Sequence, residues 1–141
     1  MKRDIRLQFD LPHPQHAVWR ALTEPRLIEQ WMMPTTFEPK VGHRFEMRDK
    51  PRSGWNGIVE SQVLELEPER RLSYTWERGQ GEKVPTTVTF TLEPSPSGTR
   101  LKVDHKNFQG LSAVVLSFVL AGGWKKMVNK WLTKVLTTMH G

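Results

Sequence analysis

The chain has 141 residues, 37% hydrophobic and 26% charged, a length and balance that predict one soluble globular domain over 1–141 with a full hydrophobic core. It has no cysteine, which excludes disulfides, a thiolate nucleophile and any Cys-ligated zinc or iron–sulfur site. The net charge is +6, but 21 basic residues are spread among 15 acidic ones along nearly every segment, so nucleic-acid binding is not expected.

The N-terminal MKRDIRLQFDL alternates charge and hydrophobe, without the unbroken apolar run of a signal peptide, and a cytoplasmic location is expected. Ile5, Leu7, Phe9 and Leu11 fall on one face of a half-buried strand. Pro14 suits the first turn of a short helix carrying Val18, Ala21 and Leu22, and Thr23 can cap a second with Leu27, Ile28, Trp31 and Met32. Pro34 ends it.

Strands joined by turn chemistry follow. Phe45 and Met47 share a face, and PRSG at 51–54 turns the chain. From Trp55 to Leu66 the alternation slips, as a β-bulge would make it. Leu72, Tyr74 and Trp76 alternate; after GQGEKVP at 79–85 so do Val88, Phe90 and Leu92; after PSPSG at 94–98 so do Leu101, Val103 and His105. These tight connections predict an antiparallel meander with one solvated face.

The last long segment, Leu111 to Leu136, is one helix on this pattern, with a bend expected at Gly122-Gly123. Its apolar run at 111–121 is too short for a bilayer span, which takes about 20 residues, so no membrane partner is expected. On a 100° wheel Trp124, Val128, Trp131 and Val135 form an inward line, with Lys126, Asn129, Lys130 and Thr133 opposite. Extended backward, the inward line is Ala113, Ser117 and Ala121, all small, which predicts an unfilled cavity there with Phe118 and Leu120 at its rim. The outward line, Leu111, Val115 and Val119, predicts a homodimer interface.

No nucleophile elbow, zinc-binding helix, phosphate loop or dinucleotide fingerprint is present, so neither cofactor nor metal is expected; His13 and His16 lack a third ligand. His105, inward by parity, either hydrogen-bonds a ligand, acts as a general base, or is satisfied within the core. Trp76 and Trp124 build core or pocket wall.

WRALTEPRLIEQWM at 19–32, SQVLELEPERRLSYTW at 61–76, GTRLKVDHKNF at 98–108 and the Gly123-Trp124 pair with Trp131-Leu132 resemble the bacterial homologues of the activator of the ninety-kilodalton heat-shock chaperone's ATPase. The resemblance runs the length of the chain. It departs at QGLSAVVLSFVLAG, where relatives carry polar, often acidic residues.

The resemblance implies an α+β fold, the START-like helix grip of the SRPBCC superfamily: a curved antiparallel sheet of six or seven strands wrapped around a long C-terminal helix, with two short helices after the first strand. That superfamily includes lipid and hydrophobic-ligand carriers, polyketide cyclases and ring-hydroxylating oxygenase domains, so fold alone does not settle function. Three functions follow as expectations. The first is a non-enzymatic carrier or sensor of a small lipid-like or flavonoid-like molecule, held by Tyr74, Trp76, Phe90, His105, Ala113, Ser117, Phe118, Ala121 and Trp124. The second is a partner that stimulates a chaperone ATPase. The third is a cyclase or hydrolase using His105 with Tyr74 or Glu60.

Overall fold

In the computed structural model, which describes residues 2–52, 55–78 and 85–139, the alternating segments form six strands. β1 (Lys2–Leu11) is followed by α1 (Gln15–Thr23) and α2 (Pro25–Trp31), then β2 (Arg44–Arg48), β3 (Ile58–Glu67), β4 (Arg71–Trp76), β5 (Thr86–Ser95) and β6 (Gly98–Gln109). Every pairing is antiparallel, in the order β1-β6-β5-β4-β3-β2, so the first strand lies beside the last. The PRSG turn and the GQGEKVP connection lie partly outside the described residues.

Alternation sets the register. Ile5, His105, Val88 and Tyr74 stand side by side across four strands, and Leu72 is opposite Phe90, which is opposite Val103. All of these are buried on the face turned to the helices. The expected slip in β3 is a bulge between Val63 and Glu65. Thr23 does not cap α2. Its hydroxyl donates back to the Trp19 carbonyl at 2.8 Å, and Glu24 takes the cap position ahead of Pro25.

α3 (Leu111–Lys126) opens the C-terminal helix, which continues through a π-helical turn at Met127–Leu132 into α4 (Thr133–Thr138), 28 residues in all. Its first half lies over β1 and β6, and its second packs on α1 and α2. Two expectations are corrected here. α3 runs through Gly122-Gly123 as regular helix, and a Cβ at either glycine would meet nothing within 4 Å, so no close approach demands glycine there. The irregularity comes one turn later. A π turn closes over five residues instead of four, which delays the stripe by about one position. Leu132 and Leu136 therefore follow Trp124 and Val128 into the core, and Trp131 rotates out to 37% exposure between Lys130 and Lys134.

Candidate functional site

A cleft of about 580 Å³ opens where α2, the β2–β3 connection and the C-terminal helix meet over the sheet. Volumes of ~300–1,000 Å³ suit small organic ligands. Val59 and Trp76 come from the sheet, Trp31, Met32 and Met33 from the end of α2, and Trp55 from the connection; Leu116, Leu120, Gly123, Met127 and Trp131 come from the helix. The lining is four indoles, three flexible thioethers and aliphatic carbon, able to repack around different apolar shapes.

The sequence builds this wall locally. Gly57 has φ +85°, and a Cβ there would collide with the Asp49 carbonyl oxygen, so only glycine lets the connection fold back. Arg52 and Trp55 then exchange backbone hydrogen bonds of 2.9 Å, and the Trp55 indole donates to the Ile58 carbonyl at 2.9 Å. At the mouth the Arg78 guanidinium sits 4.8 Å from the Trp55 ring, and Arg52 donates to Asp49 at 3.1 Å. Glu29 and Lys126 complete the charged rim.

The indole N–H groups around the cleft are unequal. Those of Trp31 and Trp55 donate to backbone carbonyls, Ala21 for the former at 2.8 Å. That of Trp76 is buried without a hydrogen-bond partner. An unmet buried donor costs about 1–3 kcal/mol, so this one is a standing demand for an acceptor.

His105 does not border the cleft. It is fully buried, its Nδ1 accepts from Trp124 Nε1–H at 3.1 Å, and its Nε2 lies 2.8 Å from Thr86 Oγ1. Since the indole can only donate, Nδ1 is unprotonated and Nε2 carries the hydrogen. The Thr86 hydroxyl donates its own hydrogen bond to the Trp76 carbonyl at 2.8 Å. Burial pushes the imidazole down to a pKa of about 3. With both nitrogens engaged and no solvent access, the general-base and ligand-contact expectations for His105 fail: the residue joins β6 to the helix. Its proposed helpers do not meet it. Glu60 is exposed on the far face of the sheet, and the Tyr74 hydroxyl donates to Met32 Sδ at 3.9 Å, with burial raising its pKa.

Tyr74, Phe90 and Trp124 form instead a run of ring contacts through the core, Tyr74 to Phe90 at 5.9 Å and Phe90 to Trp124 at 5.7 Å. The small inward line is also reassigned. Ser117 is fully buried, and Ala113 and Ala121 pack against the core. Arg3 reaches from the start of β1 to Ser117, donates to its Oγ at 2.9 Å and lays its guanidinium 3.7 Å from the Phe118 ring centroid. Small side chains let the helix settle onto β1 in place of leaving a void. Of the nine residues expected to hold a ligand, Trp76 borders the cleft.

Leu111, Val115 and Val119 are exposed, as their spacing requires, and Val119 also edges the cleft. Sequence reasoning missed Trp31, Met33, Trp55 and Met127 as cleft residues. Two signals pointed to them: WMMP carries more apolar bulk than a two-turn helix can bury, and Trp55 is an indole inside turn chemistry.

A six-stranded antiparallel sheet holding a long C-terminal helix, with two short helices after the first strand and an apolar cleft between helix and sheet, defines the START-like helix-grip class. Within that class the chain belongs to the family described as activator of Hsp90 ATPase homolog 1-like protein, whose model matches residues 12–137. It is similar to the solved structure of protein MLL2253 from Mesorhizobium loti, with 34% identity, a TM-score of 0.87, and coverage of 99% of this chain and 100% of that one. It is also similar to DynU16, a putative protein in the dynemicin biosynthetic locus, at 26% identity and TM-score 0.78, covering 96% of this chain and 47% of that one. CalU16 from Micromonospora echinospora shares the fold at 23% identity, TM-score 0.76, with 97% and 78% covered. No curated protein matches the chain.

Proposed function

We propose that the protein binds a small hydrophobic molecule, lipid-like or flavonoid-like, in the cleft between sheet and C-terminal helix, as a carrier or sensor. The observation that carries this reading is the cleft wall of Trp31, Trp55, Trp76 and Trp131 with Met32, Met33 and Met127, an apolar lining of ligand-sized volume with charge confined to its rim. Native mass spectrometry of the purified protein, followed by titration with a long-chain fatty acid and a flavone, tests it. Binding of either that Leu120→Trp weakens at least tenfold supports the reading; no bound or binding molecule sinks it.

The family description favours a second reading, a partner that stimulates a chaperone ATPase. Its test is the ATPase rate of the cognate chaperone with and without this protein, and an unchanged rate removes it.

A further inference from the structure

The first three turns of α3 present apolar side chains to water. Leu111, Val115, Phe118 and Val119 are 65%, 58%, 62% and 67% exposed, and helical geometry puts all four within about 120° of one another. Gly122, Lys125 and Lys126 continue the same face toward the C-terminus, and the Arg3 guanidinium caps its flank at Phe118. Charge on the helix itself has one sign. From His105 to Gly141 the chain holds Lys106, Lys125, Lys126, Lys130 and Lys134 and no aspartate or glutamate, in a protein of net charge +6.

A second copy is a poor occupant. Four exposed apolar side chains are a small core for a stable interface of ~20–30 residues per side, and both copies would carry the same positive charge. An anionic lipid surface meets both features at once. We propose that this face of α3 seats the protein on an anionic membrane, with Leu111, Val115, Phe118 and Val119 entering the interfacial layer and Lys125, Lys126 and Arg3 at the level of the headgroups. The 28-residue helix is long and apolar enough to cross a membrane by length and composition. It lies on the surface because Trp124, Val128, Leu132 and Leu136 are held in the core by the opposite side of the same helix. The proposal does not rest on the ligand reading of the cleft, although Val119 edges both surfaces.

Co-flotation with vesicles of phosphatidylcholine alone, or with one third phosphatidylglycerol, is the test. The protein should float with the anionic vesicles, at least tenfold more weakly with the neutral ones, and less as salt rises. Leu111→Asp and Val115→Asp should abolish flotation at unchanged melting temperature, since both side chains are exposed; Lys125→Glu should weaken it and flatten its salt dependence. Flotation with neither vesicle, or equally with both, overturns the proposal. So does a dimer in sedimentation velocity that Val115→Asp dissolves, which would assign the face to a second copy.

Discussion

Trp124 Nε1–H donates to His105 Nδ1 at 3.1 Å, a buried bond that ties the C-terminal helix to β6 and fixes the imidazole as its neutral Nε2–H tautomer. A protonated ring would set a second N–H against the indole donor, in a site closed to solvent. Burial accordingly holds the folded pKa near 3, against about 6.5 in an unfolded chain.

The sign of the pH dependence follows. Between pH 6.5 and 3 the unfolded chain binds a proton at His105 that the native state refuses, so stability falls as pH drops through that window and is fully present above it. The slope approaches ~1.4 kcal/mol per pH unit. Urea unfolding at pH 8, 7, 6 and 5 should give equal stability at the first two and a decline across the last two. His105→Gln, which keeps an acceptor and a donor, should remove most of that decline.

Gly122 and Gly123 sit inside regular helix with open space where a Cβ would stand. Gly122→Ala should therefore stabilise the fold by about 1 kcal/mol, read as a higher melting temperature. Gly123→Leu gains a similar amount in helix propensity but places its side chain in the cleft. It should raise the melting temperature while cutting affinity for a cleft-bound fatty acid or flavone at least tenfold, which separates binding from stability.

Ser117→Leu should act on stability alone. Its hydroxyl accepts from Arg3 and donates to the Val114 carbonyl at 2.6 Å in a fully buried position, so the larger side chain overpacks the contact with β1. A loss of about 1–3 kcal/mol is expected in chemical denaturation, with cleft affinity unchanged.

Gly57→Ala should disturb the cleft from outside. The left-handed backbone and the Asp49 carbonyl both reject a Cβ, a strain of about 1–2 kcal/mol or more, and Trp55 should move with the connection. Weakened ligand binding and a changed near-ultraviolet dichroism spectrum are the expected readouts.

Period-two alternation made the strands legible, because a buried face leaves its parity in the chain; the inward placement of His105, Tyr74 and Trp76 followed from it. The π turn left no such mark. Trp131 and Leu132 are both large and apolar, and either would satisfy an inward stripe, so packing against α1 and α2 decides which goes in. The small line of Ala113, Ser117 and Ala121 was legible as inward but not as filled. Small residues permit a void or a close approach, and the choice was made by Arg3, 114 positions away. The cleft likewise joins the end of α2, a connection near Trp55 and the face of α3 at Leu116 and Leu120, segments with no local sequence relation.

Val119 belongs to two surfaces, the edge of the cleft and the exposed face of α3. The proposed cleft ligand and the proposed membrane would both rest on this one side chain, which makes it the point where the two bindings meet. By reciprocity, whatever factor occupancy of the cleft applies to affinity at the helix face, contact at that face returns to the cleft.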